Sequence, residues 1–241
     1  MSQVGEVFLD FIYQHMSSKT LDQQSAVVIF SGGQDSTTCL VQAIAQYGLE
    51  QVHAVSFRYG QRHEIELRCS LNICQKLGIK YHRMIILEEL SGLTENALMN
   101  QEIKISQSQE ADYPNTFVPG RNALFILYTA IYAYQMNITN IIIGVSQADY
   151  SGYPDCREGF IRSINTSINL AMDQAFTIQT PLMYLDKAAV WELSDRLGYM
   201  EFVRKYSHSC YEGKEGGCKR CPSCLLREQG LKKYLAKKLN K

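Results

Sequence analysis

Ala26-Val-Val-Ile-Phe30 is an unbroken apolar, β-branched run, followed at once by Ser31-Gly-Gly-Gln-Asp-Ser36. A strand without polar alternation is buried on both faces, as happens in parallel sheets covered by helices. The two glycines allow a tight turn, and Thr37 to Tyr47 then reads as a helix ended by Gly48. A chain built on strand, glycine turn and helix is committed to α/β layering.

The same alternation continues along the chain. Val52 to Phe57, Lys80 to Leu87, Ile141 to Gly144 and a short stretch around Thr177 to Pro181 read as further strands. Between them, Ile65, Cys69, Ile73 and Leu77 recur every four residues before Gly78, and Asn122 to Met136 forms an apolar helix capped by Asn122. Helices from Glu158 to Asp173 and from Asp186 onward complete the pattern. Cys39, Cys69 and Cys74 fall on apolar helix faces and read as core. The expected fold class is α/β, with a doubly wound, mostly parallel sheet and a small C-terminal zinc-binding subdomain. In such sheets ligands bind beyond the carboxyl ends of the strands. Two irregular segments, 91–119 and 146–157, are long enough to be lids or binding loops. The division expected is a helical extension over 1–25, a main domain over 26–205, and a four-cysteine region with a final helix over 206–241.

Composition narrows the classes of function. Twenty-four basic residues balance twenty-four acidic ones, so no overall field draws the chain to nucleic acid. Lys232, Lys233, Lys237, Lys238 and Lys241 read as a solvated helix face. No run of about eighteen apolar residues is present, which argues against a membrane span. The N-terminus carries Glu6 and Asp10 rather than a basic segment, and Val7, Phe8, Phe11 and Ile12 suggest an amphipathic helix, not a signal peptide. Eight cysteines without an export signal point away from disulfides and toward the cytoplasm.

The turn at 31–36 is suited to an anion. Backbone N–H groups freed by glycine, the Ser36 hydroxyl and a helix N-terminus together make a nest for a nucleotide pyrophosphate. Asp35 would either help hold Mg²⁺ or cap the helix. The loop is not Walker A, since no Gly-Lys-Ser/Thr follows, and it lacks the third glycine of the dinucleotide fingerprint. Near the other end, Cys210, Cys218, Cys221 and Cys224 stand in C-x7-C-x2-C-x2-C spacing among Gly213, Gly216 and Gly217. Four close thiolates on a glycine-rich loop suit a tetrahedral, structural Zn²⁺. An iron–sulfur cluster is the alternative occupant. His208 reads as a surface histidine.

Ser-Gly-Gly-x-Asp-Ser after a buried strand resembles the PP-loop of the ATP pyrophosphatases. Tyr59-Gly-Gln-Arg-His63, Val118-Pro-Gly-Arg-Asn122, Asp149-Tyr-Ser-Gly-Tyr-Pro-Asp-Cys-Arg157, Thr180-Pro-Leu-Met183 with Asp186-Lys187, and Cys210-Tyr211 follow in order. Together they resemble the 7-cyano-7-deazaguanine synthase family over about 27–231. The resemblance implies an adenine nucleotide alpha hydrolase-like fold and ATP bound by Phe30, Ser31, Gly32, Gly33, Gln34, Asp35, Ser36, Thr37, Thr38, Cys39 and Leu40. It implies conversion of 7-carboxy-7-deazaguanine and ammonia to the 7-cyano compound, with the acid and then the amide adenylated.

Ser31, Asp35, Ser36 and Arg121 would then be catalytic, Arg121 gripping the carboxylate or a phosphate. Asp155, ahead of Asp149, would read the base edge, with Tyr150 or Tyr153 stacked on the ring. Tyr59, Gln61, Arg62 and His63 would line the nucleotide side. Lys187 is expected exposed at a helix start, and Cys156 to serve packing rather than a thioester. A homodimer is implied, with no direct contact to nucleic acid or membrane. The rivals are a tRNA thiolase or lysidine-type enzyme of the same superfamily, and a zinc-stabilised nucleotide sensor without chemistry.

Overall fold

The computed structural model describes residues 24–105, 113–148 and 152–239. The expected helix in the first two dozen residues lies outside the described residues. Five strands form one sheet: β1 (Ala26–Ile29), β2 (Val52–Arg58), β3 (Tyr81–Ile86), β4 (Asn140–Ile143) and β5 (Thr177–Gln179). Their order is β3-β2-β1-β4-β5, and every neighbouring pair is parallel. Helices α1 (Gln34–Tyr47), α2 (Ile65–Leu77), α3 (Arg121–Gln135), α4 (Glu158–Met172), α5 (Lys187–Arg196), α6 (Met200–Tyr206) and α7 (Pro222–Leu239) surround it. The fold is α/β and doubly wound, as the run at 26–30 requires.

Period-two alternation along β1 sorts its residues between two cores. Val27 and Ile29 pack with Ile126 and Ala130 of α3 and Ile161 and Ile168 of α4. Ala26, Val28 and Phe30 pack with Leu40 of α1, Ile73 of α2 and Val190 of α5. The central strand is buried along its length, whereas edge strand β3 alternates toward solvent. Strand order reverses direction between β1 and β4, so the crevice at their carboxyl ends is the natural ligand site.

Two helix starts differ from expectation. α1 begins at Gln34 rather than Thr37, which draws Gln34, Asp35 and Ser36 into its first turn. α3 begins at Arg121, with Gly120 at its N-cap in the left-handed region and no side-chain cap. Asn122 is therefore inside the helix and caps nothing. Its backbone N–H donates instead to Asp155 Oδ2 at 3.1 Å. Asp186 does cap α5, accepting from Ala189 N at 2.8 Å.

Lys232, Lys233, Lys237 and Lys238 are exposed, as the sequence suggests, and three of them also reach across to α5. Lys233 reaches Asp186 at 2.7 Å, Lys237 reaches Glu192 at 2.8 Å, and Lys238 pairs with Asp195, tying α7 to α5. Beneath them Trp191, fully buried, donates its indole N–H to Arg227 O at 3.2 Å. Gly230 of α7 lies against the backbone of Lys187: a Cβ there would sit 2.9 Å from Lys187 C and 3.1 Å from its carbonyl oxygen. Gly230→Ala gains roughly 1 kcal/mol of helix propensity. It forces the whole helix off α5, however, at an overpacking cost of about 1–3 kcal/mol. The variant is expected to be the less stable protein, seen as a lower urea midpoint with an unchanged slope.

Candidate functional site

A cavity of about 890 Å³ opens at the carboxyl ends of β1 and β4, within the size range of small-molecule sites. The turn after β1 forms one wall. Gly32 adopts φ +83°, and a Cβ there would lie 2.6 Å from Glu66 O and 2.7 Å from Ser70 N. Only glycine lets the turn rest on the first coil of α2. Ser36 Oγ accepts from Ser31 N at 3.2 Å and lies 3.0 Å from Ser31 Oγ. Thr37 Oγ1 donates to Gly33 O at 2.6 Å. Thr38, Cys39 and Leu40 run into the core behind the turn, where Thr38 Oγ1 meets Ser194 Oγ at 2.8 Å. Gly144 completes the approach from β4: a Cβ on it would come within 3.2 Å of Ser36 N.

Two side chains of this wall are set up for something further. Gln34 is buried with neither amide atom hydrogen-bonded. Asp35 gives Oδ2 to Lys187 Nζ at 2.6 Å, while its buried Oδ1 has no hydrogen-bond partner. Contrary to expectation, Lys187 is not exposed, since its side chain is only 11% accessible. The two chain ends of the sheet thus meet in one ion pair beside the turn.

Across the cavity, Arg121 Nη1 donates to Tyr59 OH at 3.3 Å, and its buried Nε has no partner. Tyr153 lines the space, with its hydroxyl 2.6 Å from Thr116 Oγ1 and its ring stacked near Phe117. Asp155 is buried against the start of α3 and is not among the lining residues. Asp149 and Tyr150 lie outside the described residues. Cys156 lines the space with a thiol that burial pushes up to about 12, accepting from Asn122 Nδ2 at 3.4 Å. Gln61 turns back to Tyr59 N and Phe57 O, and Arg62 donates to the carbonyls of Ala97 and Gln101. These two order the cavity's rim. Glu66 and Tyr211 also line the space and were not foreseen. Their signal was slight: Glu66 sits one residue beyond an apolar helix position, and Tyr211 inside a cysteine loop.

The ligand atoms of Cys210, Cys218, Cys221 and Cys224 lie within 4.8 Å of one another. Cys218 Sγ and Cys224 Sγ are 3.9 Å apart. A tetrahedron of Zn–S bonds near 2.3 Å has sulfurs about 3.8 Å apart, so the cluster fits a single metal ion. His208 is not a surface residue; it is buried, with its N–H donating to Gly32 O at 3.0 Å and its ring nitrogen 3.2 Å from Cys210 O. Gly213, at φ +62°, lies against the ring of His63. Arg227 closes the group, donating to Ser207, Ser209, Val203 and Arg204. The cysteine loop is therefore a second wall of the cavity. Among the described residues no helix is long and apolar enough to cross a membrane.

The Asp155 bond to α3 yields a prediction. Removing a buried acceptor leaves Asn122 N unsatisfied, which costs about 1–3 kcal/mol. Asp155→Ala should therefore lower the thermal midpoint even without ligands present.

Several solved structures are remotely similar. NMN synthetase from Francisella tularensis matches at 20% identity and TM-score 0.49, over 86% of this chain and 74% of that one. The NH3-dependent NAD synthetase of Campylobacter jejuni matches at 15% and 0.41, over 98% and 96%. The U34-tRNA thiolase NcsA of Methanococcus maripaludis, with its [4Fe-4S] cluster, matches at 13% and 0.48, over 98% and 75%. In sequence, the model of the family described as queuosine biosynthesis protein QueC matches residues 25–235, nearly the whole chain. The chain belongs to the QueC family of queuosine biosynthesis proteins.

Proposed function

We propose that this protein is an ATP-dependent ligase that converts 7-carboxy-7-deazaguanine and ammonia to 7-cyano-7-deazaguanine. The observation that carries the reading is that the turn at 31–36 and Arg121 face one cavity, in a chain of the QueC family. The turn and the first amides of α1 hold the nucleotide's phosphates. Ser31, Ser36 and the orphaned Gln34 amide donate to oxygens whose charge grows as pyrophosphate leaves. Asp35 Oδ1 has no hydrogen-bond partner and would hold a Mg²⁺ that neutralises charge on the phosphates, and Lys187 fixes this carboxylate in place. Residues 30–40 form the ATP site as a unit.

Arg121 grips the substrate carboxylate and directs one oxygen at the α-phosphorus. Tyr153 flanks the base, and Asp149 of the loop at 149–157 reads its edge, since Asp155 is engaged by α3 and does not line the cavity. Ammonia then displaces AMP to give the amide. The amide oxygen is activated on the same turn, and loss of a second AMP leaves the nitrile. Cys210, Cys218, Cys221 and Cys224 would hold one structural Zn²⁺, which would fix the second wall and supply no chemistry of its own. The division into an N-terminal extension, a catalytic domain and a cysteine region, a homodimeric state and a cytoplasmic location all fit this reading.

Incubation with ATP, the carboxylic acid and ammonium should yield two AMP and two pyrophosphate per nitrile. Neither AMP nor nitrile appearing would overturn the assignment. The purified protein should be colourless with one zinc per chain; absorbance in the visible from an iron–sulfur cluster would favour a thiolase. Ser36→Ala should slow AMP formation by roughly 10²-fold, as losing one donor to a developing oxyanion does.

A further inference from the structure

One carboxylate of the cavity has no task in that scheme. Glu66 stands in the first turn of α2 and lines the same space as Ser31, Ser36 and Arg121. Its backbone carbonyl packs on Gly32, at the position where a Cβ would lie 2.6 Å away. Residue 66 is thus held directly against the phosphate turn. Among the described residues, no hydrogen bond or ion pair engages its carboxylate.

Three other polar side chains at the cavity are already engaged. Asp35 holds Lys187, Tyr59 accepts from Arg121, and Tyr153 is bonded to Thr116. The groups that act on Glu66 are Arg121 from α3, Tyr59 from the loop after β2, Tyr211 from the cysteine loop, and Cys69 one turn along α2. A cavity carboxylate with no hydrogen bond or ion pair is a recognition site for a small hydrogen-bonding cation such as ammonium.

The synthase reading requires such a group, because the incoming nitrogen must shed every proton it carries. We propose that Glu66 binds ammonium and is the proton acceptor for both halves of the reaction, an inference that rests on the synthase reading. In the first half, ammonium gives a proton to Glu66, and the freed nitrogen lone pair attacks the carbonyl carbon of the acyl adenylate. The C–O bond to AMP breaks with its electron pair on AMP, and the nitrogen loses a second proton to solvent. Glu66 then returns its proton to solvent. In the second half the O-adenylated amide, a cation with two protons on nitrogen, gives one to solvent, and Glu66 takes the other. That N–H electron pair becomes part of the C≡N bond as the second C–O bond breaks toward AMP. Burial raises the Glu66 carboxyl from 4.5 to about 7, with Arg121 opposing the rise. A base works best when its pKa lies near the working pH.

His63 is the competing base, since its Nε2 is buried without a partner. It lies at the joint with Gly213, away from the turn's contact with α2.

The test compares wild type with Glu66→Gln. Pyrophosphate release driven by the carboxylic acid should continue at close to the wild-type rate. Nitrile formation from ammonium should fall by about 10²-fold or more, the usual contribution of a general base. Hydroxylamine, largely unprotonated at neutral pH, should still trap the adenylate as hydroxamate as well as in wild type. The amide supplied directly should also turn over slowly. Nitrile formation at the wild-type rate, or parallel loss of hydroxamate and nitrile, sinks the proposal. A wild type that releases no AMP sinks the synthase reading instead.

Stability gives a readout independent of turnover. The folded protein holds the Glu66 proton up to about pH 7, whereas an ordinary carboxyl releases it near 4.5. Over that window the folded state binds more protons, so wild-type stability falls as pH rises. The thermal midpoint of Glu66→Gln should rise relative to wild type across the same window. A difference that is flat with pH overturns the proposal.

Discussion

At position 32 the backbone turns at φ +83° while the Glu66 carbonyl and Ser70 amide of α2 press against the Cα from behind. The same residue's carbonyl accepts from His208, at the head of the cysteine loop. Three segments remote in sequence are thereby referred to one residue that can have no side chain. The phosphate turn, the first coil of α2 and the second wall of the cavity therefore shift together or not at all. A substitution here would disturb all three, because the contacts are with backbone, which cannot swing aside.

A second constraint runs through Asp35 and Lys187. Both partners are largely withdrawn from water, with side chains 30% and 11% exposed. Such a pair contributes little net stability, because desolvation offsets most of the attraction, yet losing one partner strands a charge. Its value is positional. Lys187 begins α5, α5 is bound to α7 by ion pairs, and Gly230 holds α7 against the Lys187 backbone. The C-terminal helix, distant from the sheet in sequence, thus fixes the charge beside the phosphate turn.

What could be read from the sequence was what is local. The apolar runs at 26–30 and 141–143 gave strands because burial on both faces leaves no alternation. Gly78 ended its helix because a left-handed residue there requires no Cβ, and the four cysteines were legible from spacing. The misreadings share one cause. Asn122 looks like a cap, but the acceptor for its N–H is Asp155, thirty-three residues on. Lys187 looks exposed at a helix start, but its partner is 152 residues away. His208 looks superficial, but its backbone N–H donates to Gly32 O, at the phosphate turn. In each case a polar residue with no local partner found one across the sheet's carboxyl edge, where the topology gathers chain ends that the sequence keeps apart.

That gathering also explains why the cavity's second wall is built on cysteines. The segment from His208 to Cys224 contains no strand and only the beginning of α7. It carries glycines at φ +62°, +72° and +84°, so the backbone alone would not hold a shape. Yet this segment contributes Tyr211 to the cavity and meets both His63 and Gly32. A metal clamped by four thiolates rigidifies such a loop without needing a hydrophobic core of its own. Arg227 supplies the remaining restraint, donating to loop and to α6 carbonyls while its guanidinium lies over Trp191. On the proposed reading, order in this wall comes from coordination and one arginine, whereas order in the first comes from packing around a glycine. On that proposed reading, a site that activates two different oxygens in succession needs one wall that never moves, the phosphate turn. It also needs a facing wall whose contacts can accept an acid, an amide and a nitrile in turn.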